Sequence, residues 1–86
     1  MALLEFYGQE CPHCRRMHSL IERLEREEKV TVQKYEVWHN EENARKLEES
    51  DKGNCGGVPY FHNSDTGKFL CGEVGYEELK QWAVGG

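Results

Sequence analysis

Ala2-Leu3-Leu4-Glu5-Phe6-Tyr7-Gly8-Gln9-Glu10-Cys11-Pro12-His13-Cys14 is the stretch on which the reading of the whole chain turns. Its first part, Ala2 to Tyr7, is a short and mostly apolar run of the kind that a parallel or mixed sheet buries on both faces. Gly8-Gln9-Glu10 makes a tight link. Pro12 then stands where proline is favoured, at the first position of a helix, which makes Cys11 the N-cap. An N-cap favours negative charge through free backbone N–H groups and the helix dipole, and the thiolate is the reactive form of cysteine. Cys11 is therefore the expected nucleophile. Cys14, one turn further in and on the apolar face, is close enough to form a disulfide and is the expected resolving thiol.

Working outward, Met17, Leu20, Ile21 and Leu24 continue the face begun by Cys14, opposite Arg15, Arg16, Ser19, Glu22, Arg23 and Arg26, so the helix should run to about Glu28. Val30 to Val37 is β-branched and aromatic and reads as a second strand. Asn40 can cap a second helix, with Glu41 and Glu42 in its first turn, a thin apolar face of Ala44 and Leu47, and an end near Ser50 to Gly53. Gly53-Asn54-Cys55-Gly56-Gly57 must be a loop. Val58-Pro59 opens a strand over Tyr60 to Asn63, and Ser64-Asp65-Thr66-Gly67 turns the chain into a returning strand over Lys68 to Cys71. Gly72 to Gly75 links to a last helix with Tyr76, Leu79, Trp82 and Ala83 facing inward and Glu77 and Glu78 near its start.

The order β-α-β-α-β-β-α makes one α/β domain over residues 1–86, with the first β-α-β a right-handed parallel crossover and the hairpin completing a four-stranded mixed sheet flanked by three helices. Chemistry belongs at the C-terminal end of the first strand. A net charge of −5 argues against nucleic acid, whose phosphates would be met by a basic face. No run reaches the roughly 18 apolar residues of a membrane helix. Met1-Ala2-Leu3-Leu4 has neither the basic flank nor the length of a signal peptide, so the expected setting is the cytoplasm, as a monomer without a membrane partner.

Within the redox pair, Pro12 fixes the turn, and a protonated His13 would add positive charge beside the Cys11 thiolate, making the disulfide more oxidising. Glu5 is the most anomalous charge. Its apolar neighbours promise burial, which raises a carboxyl pKa, and from beneath the pair it could take a proton from Cys14, with Lys34 of the second strand as its candidate partner. A proline opening a strand after a glycine-rich loop is a candidate cis bond; it would offer the Val58 backbone to an extended substrate. Cys71, which the hairpin sets roughly opposite Tyr60, and Cys55, four residues before Pro59, are candidates for a second disulfide or an extra resolving thiol, alongside the plainer reading of small buried apolar residues. Four cysteines with His13 could alternatively hold zinc or an iron–sulfur cluster, but Cys55 and Cys71 do not form a second close pair, so neither a metal nor another cofactor is expected. His18, His39 and His62 read as surface residues, and Trp38 as core or rim.

Taken together, Phe6-Tyr7, Cys11-Pro12-His13-Cys14 and Val58-Pro59 resemble the strand, redox motif and cis-proline of the thioredoxin superfamily over nearly the full length. Glu5 falls where thioredoxins have a buried aspartate, and Val32-Gln33-Lys34-Tyr35 resembles the strand carrying that acid's lysine neighbour. The resemblance implies a thiol–disulfide oxidoreductase acting on protein disulfides, with a reductase or glutathione as electron donor. Cys-Pro-His-Cys is the motif of DsbA-type oxidants, whose helical insertion this chain cannot accommodate, and also of small archaeal thioredoxin-like proteins. Glutaredoxins are of this length, and Gly75-Tyr76-Glu77-Glu78-Leu79 is similar to the glycine and acidic pair with which they hold glutathione. Gly8 stands where they use a lysine, and Gly57 where they have a threonine before Val-Pro.

Overall fold

The computed structural model describes residues 2–85. Its elements are β1 (Leu3–Tyr7), α1 (Pro12–Glu28), β2 (Val32–Glu36), α2 (Glu41–Asp51), β3 (Tyr60–Asn63), β4 (Phe69–Cys71) and α3 (Tyr76–Val84). The sheet order is β2-β1-β3-β4. β1 lies parallel to β2 and antiparallel to β3, and β3 is antiparallel to β4. The expected four-stranded mixed sheet with three helices is thus present in the expected order.

Strand ends are shorter than the β-branched runs that announce them. Lys29 closes α1 in the left-handed conformation (φ 54°), and the chain needs Val30 and Thr31 to turn back toward the sheet before pairing begins at Val32. Helix starts follow their caps. The Asn40 side chain accepts the Asn43 N–H at 3.0 Å, satisfying one of the free donors of α2.

β1 is central, hydrogen-bonded on both edges. Leu3 and Phe6 are buried on opposite sides of it, as the period of two demands. Leu3 joins Met17, Ile21 and Leu24 of α1 with Phe61, Leu79 and Trp82 in the larger core cluster. Phe6 packs with Val37 and Tyr60, where Ala44 and Leu47 lay the thin face of α2 over the other side. No helix among the described residues is long and apolar enough to cross a membrane.

The hairpin turn is held by a buried residue that its sequence pattern does not single out. The Asn63 side-chain Oδ1 accepts the N–H groups of Asp65 at 3.0 Å and Thr66 at 3.3 Å, while its Nδ2 donates to the Trp82 carbonyl at 2.9 Å. One side chain ties the turn to α3. Asn63→Ala should cost about 2–3 kcal/mol, because it leaves a buried carbonyl without its donor; urea unfolding of both proteins measures it.

Candidate active site

The site begins where β1 ends. The Cys11 N–H donates to the Gly8 carbonyl at 3.0 Å, which closes the link between strand and helix. Cys11 has an extended backbone (φ −78°, ψ 115°), and its Sγ accepts the Cys14 N–H at 3.3 Å. It is the N-cap that the placing of Pro12 requires, and at such a position a thiolate would meet free backbone donors. Both cysteines are free thiols; Cys14 is fully enclosed, and Cys11 is 4% exposed. Burial pushes the Cys14 thiol up to about 12, reinforced by its hydrogen bond with Cys11 and by the nearby charges of Cys11 and Glu5.

Glu5 is completely buried, and neither of its carboxyl oxygens has a hydrogen-bond partner among the described protein groups. Loss of hydration raises its pKa to about 7, partly offset by the positive charge of Lys34 and reinforced by the negative charge of Glu25. The expected pairing with Lys34 is not formed as a contact. Glu5 and Lys34 are cross-strand partners in register, but the ammonium reaches outward to the Glu25 carboxylate at 3.3 Å and to the Val32 carbonyl at 3.1 Å. A long flexible amine keeps its charge hydrated at the rim instead of following the carboxyl inside.

A groove of about 720 Å³ is lined by His13, the residue before Cys14, with Val58, Pro59, Glu73, Val74 and Gly75 among others. The Val58–Pro59 bond is cis, as its place after the glycine-rich loop led one to expect. His13 is held from the far wall: its Nδ1 lies 2.9 Å from both Glu73 Oε1 and an Arg16 guanidinium nitrogen, and Arg16 Nε donates to both Glu73 oxygens at 2.9 Å. These contacts hold the Glu73 carboxyl below its usual range, that with His13 first. Cys55 and Cys71 are bonded to each other in a disulfide across 5.4 Å between Cα atoms. Neither is therefore available as a thiolate ligand for zinc or a cluster.

A family model described as Thioredoxin matches residues 1–82. The chain belongs to the thioredoxin family. Its structure is similar to the crystal structure of a glutaredoxin from Archaeoglobus fulgidus, at 26% identity and a TM-score of 0.70, covering 95% of this chain and 86% of that one. No curated protein matches. Members of the thioredoxin and glutaredoxin families are generally oxidoreductases, and two neighbouring thiols on this fold give the chain a thiol redox chemistry.

On this thioredoxin fold, Cys11 and Cys14 meet at the start of α1 with Glu5 near enough for its charge to act on Cys14, and His13, Val58, Pro59 and Gly75 line the groove. Gly57 is turned to a separate cleft with Val37, Trp38, Ala44 and Leu47, and Lys34 stands apart at the sheet rim. His39 is on the surface, but His18 is not: it is half-buried edge-on to Tyr7, with its Nε2 enclosed. Helical spacing sets His18 beside the buried face, one position from Met17, and the ring fills the space against β1.

Two residues, Glu73 and Asp51, escaped the sequence reading, and so did the contact that Trp38, read there as core or rim, makes with Gly8. Glu73 reaches His13 across the groove. Trp38, 52% exposed, lies so close against Gly8 that any side chain there would collide with its ring. Asp51 is buried at the end of α2, and its carboxylate accepts the N–H groups of Cys55 at 2.6 Å and Gly56 at 2.8 Å. Only Asp51 left a signal, an aspartate directly before a glycine-rich loop full of unpaired donors.

The raised Glu5 pKa has a stability consequence. Between about pH 4.5 and 7 the unfolded chain has released this proton while the folded chain still holds it, so stability falls as pH rises through that window. The shift corresponds to about 3 kcal/mol, at 1.36 kcal/mol per pK unit. Urea unfolding at a series of pH values should show this decline in the native sequence and lose it in Glu5→Gln.

Proposed function

We propose that the chain is a thiol–disulfide oxidoreductase that reduces or exchanges protein disulfides through Cys11 and Cys14. The observation that carries this reading is the helix-capping sulfur of Cys11 beside a buried, protonated Cys14, with the intervening His13 lining a groove shared with Val58 and Pro59. The Cys11 thiolate attacks one sulfur of a substrate disulfide. The substrate S–S bond breaks, its electron pair leaves on the other sulfur, and that sulfur takes a proton. Cys14 then attacks Cys11 Sγ, releases the second substrate thiol and leaves a Cys11–Cys14 disulfide.

For this second step Cys14 must lose its proton. Two of the causes that hold it are the hydrogen bond that the Cys14 thiol donates to Cys11 and the charge of Cys11, and both disappear once that sulfur is tied up in the mixed disulfide. Glu5, poised at about 7, is the base for the proton, since a carboxyl in that range is both available and basic near neutral pH. Val58 offers its backbone to the extended substrate segment, and Pro12 and His13 set the pair's poise. A reductase or glutathione regenerates the dithiol, and the mechanism calls for no cofactor.

The similarity to a glutaredoxin favours glutathione as a second reading, with Gly75, Glu77 and Glu78 at the start of α3 as the groups that would hold it. A coupled glutathione assay that gives no rate removes it. For either donor, Cys11→Ser should abolish turnover, whereas Cys14→Ser should accumulate the mixed disulfide, visible by mass spectrometry. Equal alkylation of the two cysteines by iodoacetamide would contradict their separate roles.

A further inference from the structure

The Cys55–Cys71 disulfide stands apart from the Cys11–Cys14 pair, yet it joins the two segments that bear the groove wall. Cys55 lies in the loop that leads from α2 to Val58 and Pro59. Cys71 ends β4 directly opposite Tyr60, the residue after Pro59, and the next N–H, that of Gly72, donates to the Pro59 carbonyl at 2.8 Å. From Gly72 the chain continues into Glu73, Val74 and Gly75, the far wall of the same groove. One covalent bond therefore fixes both the entry to the cis-proline turn and the exit of the strand facing it.

Apart from that bond and the packing of Cys55 and Val58 against the Phe6, Val37 and Tyr60 cluster, the loop is held mainly by backbone hydrogen bonds to Asp51. Asp51 accepts the N–H groups of Cys55 and Gly56, and its own carbonyl accepts that of Asn54 at 2.9 Å. Nothing lies within 4 Å of where a side chain at Gly53, Gly56 or Gly57 would begin. The bond is also accessible, since Cys71 is exposed and Cys55 half-buried.

From this placement we infer that Cys55–Cys71 is a second exchange site, a clasp that small thiols open and that controls the order of the substrate ledge at Val58 and Pro59. That the ledge receives substrate rests on the function proposed above. In the opening reaction a thiolate attacks the exposed Cys71 Sγ and forms a mixed disulfide there. The Cys55–Cys71 bond breaks, its electron pair leaves on Cys55, and Cys55 takes a proton. A second small thiol then attacks the mixed disulfide, carries away the first as an oxidised dimer and leaves Cys71 as a thiol. Two electrons and two protons pass from the small thiols to the clasp.

The test uses the full chain in buffers of oxidised and reduced dithiothreitol, with alkylation and peptide mass mapping to follow each cysteine pair separately. Cys55–Cys71 should open while far-UV circular dichroism stays native, and amide exchange over residues 52–58 should accelerate at least tenfold. The Cys55→Ser/Cys71→Ser variant should reproduce that exchange and raise KM for a protein disulfide about fivefold, a change of about 1 kcal/mol, with kcat and the Cys11–Cys14 midpoint unchanged. A clasp that stays closed in reductant able to open Cys11–Cys14 would overturn the inference. So would loss of the whole fold on opening, unchanged exchange over the loop, or an unchanged KM. Mass mapping and amide exchange do not depend on turnover, so a chain without oxidoreductase activity would refute the function and still show whether the clasp opens.

Discussion

Pairing of β1 on both edges is the constraint on which the rest depends. A strand held by β2 on one side and β3 on the other cannot shift register without breaking two ladders. Its C-terminal end is therefore a fixed point, and the Gly8 carbonyl passes that position on to Cys11 through a single hydrogen bond. α1 is anchored in turn by Cys14, Met17, Ile21 and Leu24 along its buried face. The sulfur at the N-cap thus stands between two packed elements, and its geometry owes nothing to a mobile loop.

The same centrality creates the cost at Glu5. A central strand buried on both faces leaves no direction in which a carboxylate could reach water, so the group stays protonated to about pH 7 and carries an unfavourable ionisation above it. Apolar side chains would suit the fold better at this position. Under the proposed function the carboxyl would be the base for Cys14, and stability given up at a site of chemistry is the usual sign of a functional demand.

Elements were legible wherever one local signal agreed with the periodicity. Asn40, Pro12 and Gly67 each mark a boundary through their own backbone chemistry, and the buried positions of α1 follow helical spacing. The cysteine pair and the cis-proline could be read for the same reason, as their meaning lies within two or four adjacent residues. What could not be read were partners that the fold brings from far along the chain. Glu73 meets His13 across a separation of 60 residues, and Lys34 chooses Glu25 of α1 over its register partner Glu5. Trp38 covers Gly8 because β2 runs beside β1, and no pattern in either segment records that approach.

These two kinds of information divide the site mechanically. The dithiol is built from neighbours in sequence, on a strand and helix whose packing fixes it. The proposed substrate ledge is assembled from a loop and an edge strand, and β4 is only three residues long and mostly exposed. Exchange chemistry needs the first part rigid, because the attacking sulfur must lie in line with the bond it breaks. Under the proposed function, recognition of unrelated protein disulfides by backbone contacts alone would tolerate a less rigid second part. A disulfide between Cys55 and Cys71 lends that second part a covalent rigidity, and under the proposed function it does so with the same bond type that Cys11 and Cys14 would make and break.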